Sequence, residues 1–123
     1  MTMEDAKEVC PTRSQKRLKE GALLVDVREQ NEIETLSFDV PGLRMIPFSE
    51  FETRFSELPR DKDLIIASNH GNRSLKATYF LMYNGYDRVF NMSGGMAKWV
   101  FRKFPVKGDP TAVEMPANTS CCS

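Results

Sequence analysis

Apolar residues come in short bursts along this chain, set apart by polar segments with helical spacing. Residues 23–27, Leu-Leu-Val-Asp-Val, make one burst, and Leu64-Ile65-Ile66-Ala67 makes another. Neither alternates with polar residues as a half-exposed strand would. Such runs predict strands covered on both faces, the habit of a parallel sheet. Residues 43–46 and 89–92 predict two more strands, and residues 7–10 a short edge strand.

Helical signals fall between them. Thr12 and Gln15 have capping-box spacing, with Gly21 beyond the end of the helix they would start. Residues 30–36 predict a weak helix with Ile33 and Leu36 on one face. Ser49 and Glu52 repeat the box, and Phe51, Phe55 and Leu58 follow at i, i+4 and i+7. Residues 74–84 predict a helix apolar nearly all round and so largely buried. Met96, Trp99 and Val100 mark the last helix, which closes before Pro105. Val40-Pro41-Gly42 and Ser93-Gly94-Gly95 read as turns. This alternation predicts an α/β domain built on a mostly parallel sheet.

A length of 123 residues suits one domain. Its core is expected within residues 1–107. Residues 108–123, rich in Pro, Ala, Thr, Ser and Asn, read as a flexible tail. Seventeen basic residues balance seventeen acidic ones, so the chain lacks the basic excess of a nucleic-acid binder. No apolar run approaches the roughly 20 residues of a membrane span. The charged first 20 residues contain no apolar signal-peptide segment. Cys10, Cys121 and Cys122 are too few and too terminal for a disulfide framework, so the expected location is cytoplasmic. With His70 they form no zinc-ligand spacing, and neither metal nor cofactor is expected.

In open parallel sheets ligands bind beyond the carboxyl ends of the strands. Two segments with chemistry lie there: Asp26-Val27-Arg28-Glu29, and Ser68-Asn69-His70-Gly71-Asn72-Arg73-Ser74. Gly71 and the two asparagines tolerate unusual backbone angles. A loop of that kind can turn its N–H groups toward one point, at which the next helix aims its positive end. Arg73 adds a forked cation suited to an oxyanion. The plainer reading is a strand-to-helix connection with a surface arginine and a capping serine. Asp26 and Arg28 share a face, and a salt bridge at the sheet end is a sufficient account of Asp26. Arg28 either completes that pair or lines the anion pocket. Trp99 reads as core packing.

Three blocks resemble the signatures of a single-domain rhodanese, a sulfurtransferase: L-V-D-V-R-E at residues 24–29, S-N-H-G-N-R-S at 68–74 and G-G-M-A-K-W at 94–99. Their order and separation fit, and the resemblance spans roughly residues 7–108. It implies a central parallel sheet of about five strands, flanked by helices on both faces. It also implies transfer of sulfane sulfur from thiosulfate or a persulfide to cyanide, a thiol or a sulfur-carrier protein. The family's nucleophile is the cysteine that opens C-x-x-G-x-R. By that resemblance the nucleophile position is Ser68 and the arginine that holds the sulfonate is Arg73. Asn69, His70, Gly71, Asn72 and Ser74 would form the anion-binding loop, supported by Asp26 and Arg28. Four residues separate Ser68 from Arg73, one fewer than in the C-x5-R of protein tyrosine phosphatases, and the shorter ring suits a sulfur-centred anion.

The departures matter. A serine hydroxyl forms no persulfide and is a far weaker acid than a thiol. A Ser68–His70 dyad lacks a third residue to orient the histidine, which reads as exposed. Two accounts of Ser68 remain: a Cys→Ser change that traps an inactive enzyme, or a natural non-catalytic module that binds anions or proteins. Retention of Asp26, Arg28, Gly71 and Arg73 favours the first. Many relatives also carry G-H-I-P-G-A where this chain has S-F-D-V-P-G-L, which suggests a different pocket rim with Phe38 exposed there. Cys121 and Cys122 are candidate sulfur acceptors on the tail, against the plainer reading of an inert, solvated end.

Overall fold

The computed structural model describes residues 4–116. In chain order the elements are β1 (Glu8–Val9), α1 (Pro11–Lys19), β2 (Leu23–Asp26), α2 (Gln30–Thr35), β3 (Leu36–Phe38), β4 (Arg44–Met45), α3 (Phe51–Arg54), β5 (Leu64–Ala67), α4 (Asn72–Tyr83), β6 (Val89–Met92), α5 (Gly95–Phe101) and β7 (Val106–Gly108). Five strands form an all-parallel sheet in the order β1-β6-β5-β2-β4. The two apolar runs, β2 and β5, lie side by side near its centre, in register from Leu23 opposite Leu64 to Asp26 opposite Ala67. Strands β3 and β7 pair antiparallel in a separate ribbon.

Period-2 alternation divides the apolar residues between two cores. Leu24, Ile65, Ala67 and Met92 face α5, where Met96 and Trp99 are buried. Val25, Leu64 and Ile66 face the opposite way, onto Phe51 of α3 and Ala77 and Leu81 of α4. The sheet is therefore covered on both sides, which is why its central strands tolerate no polar alternation. Helix α4 keeps one wet edge, since Tyr83 is 80% exposed.

The connections after β2 and β5 diverge. Beyond β2 the chain crosses outward to β4, and beyond β5 it crosses the other way to β6. That topological switch opens a crevice at the carboxyl ends of β2 and β5. Asp26 and Ser68 sit at those two ends.

Several local expectations fail for identifiable reasons. Helix α1 starts one residue before Thr12: Pro11 supplies the first helical position and Cys10 is the N-cap, without a side-chain cap. Ser49 caps nothing. It lies in a 3-10 turn, Phe48–Glu50, and donates its hydroxyl to Glu29 Oε1 at 2.7 Å. Helix α4 begins at Asn72, two residues before the expected start, with Gly71 as its N-cap. Phe38 is not exposed at a rim. Pairing of β3 with β7 turns it inward, 2% exposed and edge-on to Trp99 with ring centroids 5.2 Å apart. Cys10 is buried.

Beyond residue 107 the chain keeps contact with the fold as far as Val113. Gly108 belongs to β7, with φ +104°, and a Cβ there would lie 2.2 Å from the Thr35 carbonyl oxygen. Asp109 then caps a 3-10 turn, Pro110–Ala112, and Val113 is buried in the α5-side core. Among the described residues no helix is long and apolar enough to cross a membrane.

Candidate functional site

The loop after β5 is short because Gly71 takes a left-handed backbone, φ +98°, that lets α4 start at once. The bend brings two amides onto one side chain. Gly71 N and Ser74 N both donate to Ser68 Oγ at 3.2 Å. Ser68 is 1% exposed, so these bonds lie out of water. Its hydroxyl donates to Ser74 Oγ at 3.0 Å, and Ser74 Oγ donates in turn to Asn91 Oδ1 at 2.5 Å. The Asn91 amide nitrogen is held by Glu8 Oε1 at 2.9 Å. The side chain of residue 68 therefore sits at the amino end of a 12-residue helix, facing two N–H donors. That environment favours negative charge on the atom it holds.

A second turn braces this loop from behind. Helix α5 points its first amides at the loop carbonyls: Met96 N donates to Ser68 O at 2.8 Å and Ala97 N to Asn69 O at 2.9 Å. Contact this close requires glycine. A Cβ on Gly95 would lie 2.2 Å from Ser68 O. The Gly-Gly pair at 94–95 thus has a physical task, which is to let a helix terminus abut the loop.

The charged groups are arranged in pairs. Asp26 and Arg28, 0% and 2% exposed, form a buried ion pair with Arg28 Nη2 2.9 Å from Asp26 Oδ2. The backbone N–H of Arg28 also donates to Asp26 Oδ1, and its guanidinium donates to the Leu36 carbonyl and, at 3.4 Å, to Asn69 Oδ1. The pair ties the end of β2 to the start of β3 and to the loop. Burial this complete fits the structural account of Asp26, and places Arg28 beside the loop as well.

Arg73 does not present an unoccupied fork. Its Nη1 and Nη2 grip the Glu32 carboxylate at 2.6 and 2.9 Å, and Asn69 Nδ2 joins them at 2.8 Å. Glu32 is placed by its own helix: Glu29 and Glu32 form a reciprocal capping box at the start of α2. Hydrogen bonding from Arg73 lowers the Glu32 pKa from 4.5 to about 2, against the opposing effect of burial. The same bond raises the pKa of Arg73.

His70 is exposed, with Nε2 3.3 Å from the Glu114 carbonyl, while the hydroxyl of Ser68 goes to Ser74. Asn72 is exposed in the first turn of α4. A small cavity of about 180 Å³ opens beside the loop, lined by Arg28, Asn31, Glu32, Asn69 and Ala112 among others. Cys121 and Cys122 lie outside the described residues. Sequence reasoning missed Glu32 and Asn91. An available signal for Glu32 was the Glu29-x-x-Glu32 box, since an acidic side chain can cap as serine does. Nothing local marked Asn91.

The sequence profile of the rhodanese-like domain matches residues 11–101. The chain belongs to the rhodanese-like family. A sulfurtransferase of Allochromatium vinosum is 37% identical over 87 residues, covering 71% of this chain and 79% of that protein. The thiosulfate sulfurtransferase GlpE of Pseudomonas syringae is 30% identical over 97 residues, covering 79% and 90%. Among solved structures, a rhodanese-related protein of Thermoplasma volcanium superposes with a TM-score of 0.75 at 27% identity, over 84% of this chain and 99% of that one. As a rhodanese-like domain the chain is an α/β protein, with a five-stranded parallel sheet and five α-helices among the described residues.

Proposed function

We propose that this chain carries a rhodanese-type sulfurtransferase site with serine at the nucleophile position, and that it is inactive in transfer until a thiol stands there. The observation that carries the reading is the pair of amides, Gly71 N and Ser74 N, converging on Ser68 Oγ at the start of α4. Such a cradle suits an anionic sulfur. Relatives named as sulfurtransferases supply the reaction class. With cysteine at 68, the thiolate attacks the outer sulfur of thiosulfate, the S–S bond breaks and sulfite leaves with the electron pair. A thiol, a sulfur-carrier protein or cyanide then attacks the outer persulfide sulfur and releases the thiolate.

Ser68→Cys is the test. The variant should gain the mass of one sulfur atom from thiosulfate and yield thiocyanate with cyanide. Its thiol pKa should fall below the free value of about 8.5. The Ser68 chain and Ser68→Ala should both be inactive. If Ser68→Cys binds no sulfur, or if the serine protein turns over and the alanine one does not, the assignment is wrong.

The second reading, a non-catalytic module that binds anions or proteins, draws on the pairing of Arg73 with Glu32, which leaves the expected anion-gripping fork occupied. The natural coding sequence at position 68 separates the two: a cysteine codon selects the enzyme, a serine codon the module.

A further inference from the structure

The charges around the loop do not add up to a site built for a dianion. Two guanidiniums, Arg28 and Arg73, stand against three carboxylates, Asp26, Glu29 and Glu32. Arg28 is engaged by Asp26 inside the protein. Arg73 is engaged by Glu32 in a two-point contact at 2.6 and 2.9 Å. The Glu32 carboxylate is held from three sides, since Asn69 Nδ2 and the backbone N–H of Glu29 also donate to it, at 2.8 and 2.9 Å. It also lines the small cavity next to the loop.

We propose that Glu32 is a specificity-determining residue: by occupying the Arg73 fork it biases the site toward sulfur donors with a single negative charge over doubly charged ones such as thiosulfate. The inference rests on the sulfurtransferase reading and names the donor class within it. A donor whose leaving group needs Arg73 has to displace a carboxylate already bonded there. A dianion also meets twice the repulsion from Glu32 that a monoanion meets. The transfer is the same for both. In the Ser68→Cys protein the introduced thiolate attacks the sulfane sulfur, and the leaving group departs with the electron pair as sulfite from thiosulfate or as methanesulfinate from methanethiosulfonate.

Those two anions are the probes, because they differ by one charge and share the S–S bond that breaks. In the Ser68→Cys protein, kcat/KM is measured for each with Glu32 and with Glu32→Gln. Glutamine retains an oxygen for the Glu29 N–H, so the capping box survives. Glu32→Gln should shift the ratio of kcat/KM values toward thiosulfate by about tenfold, the scale of one unit charge near a protein surface. An unchanged ratio overturns the proposal, and so does an equal gain for both donors. A separate measurement keeps it apart from the activity itself: calorimetric titration of thiosulfate into the Ser68 chain. There Glu32→Gln should tighten binding several-fold. Should Ser68→Cys take sulfur from neither donor, the sulfurtransferase reading fails and Glu32 is judged on that titration, where equal affinities overturn its role.

Discussion

Two strand-to-helix connections meet at the same edge of the sheet, and they use their helix termini differently. After β5, the amides of Gly71 and Ser74 converge on a side chain, Ser68 Oγ. After β6, the amides of Met96 and Ala97 are consumed by backbone carbonyls of the first connection. Both helices are capped by a left-handed glycine, Gly71 at φ +98° and Gly94 at φ +78°. The glycine-capped turn is common to both. What differs is whether the helix end faces a chemical group or another piece of protein. The β5 connection holds the proposed nucleophile position, and the β6 connection is its buttress.

The largest effect that separates them should come from adding a methyl group to each. Gly95→Ala drives Cβ to 2.2 Å from Ser68 O, on top of a left-handed backbone at φ +55°. Overpacking and backbone strain together should cost about 3–5 kcal/mol of stability. Gly71→Ala meets nothing nearer than Met92 O at 3.4 Å, so only the backbone term of about 1–2 kcal/mol remains. Urea unfolding followed by Trp99 fluorescence measures both. Equal losses would show that the close approach of α5 to the loop is not what requires glycine at 95.

Much of this frame is legible in the sequence, and the boundary of legibility is physical. The strands β2 and β5 announce themselves because burial on both faces selects an apolar run without polar alternation. The loop announces itself through Gly71, Arg73 and its place at a strand end. Contacts between distant segments do not announce themselves. Arg73 and Glu32 lie 41 positions apart, and nothing in either neighbourhood states that they meet. The burial of Phe38 is hidden for a related reason. It depends on β7, a three-residue strand next to Pro105 with no alternation to reveal it. Val113 follows the same logic, an isolated apolar residue in a polar stretch whose partners are all remote. The cap errors are of another kind: motif spacing at Thr12 and Ser49 is right in form, but Pro11 and Glu29 offer the backbone something better.

A second expected effect tests the cradle alone. Ser68→Ala removes the acceptor shared by Gly71 N and Ser74 N in a site closed to water, and buried amides without a partner are costly. The loss should be about 2 kcal/mol. Ser68→Cys supplies a larger, weaker acceptor and should lose less. The buttress amides of Met96 and Ala97 keep their carbonyl partners in both variants, so amide exchange should quicken at 71 and 74 and stay slow at 96 and 97. Faster exchange at all four positions would mean that the two connections open as one unit and that the distinction between them is only geometric.

The smallest effect concerns the carboxylate that ties the loop to α2. Glu32 has a folded-state pKa of about 2 against an ordinary 4.5. A lowered pKa means that the folded protein holds this proton more weakly than the unfolded chain does. The contribution of Glu32 is therefore complete above pH 4.5 and is lost as pH falls from 4.5 through about 2. The pair is partly exposed, with side chains at 31% and 25%, so solvent screening holds its worth to about 1 kcal/mol. Other carboxylates titrate in the same window, and the comparison that isolates Glu32 is with Glu32→Gln. The stability difference between the two proteins should be about 1 kcal/mol near pH 6 and should shrink toward zero by pH 2. A difference that stays constant across that range would mean that the Arg73 contact contributes through packing and hydrogen bonding that survive protonation, and that the loop is fixed by Gly71 and by its α5 buttress without help from charge.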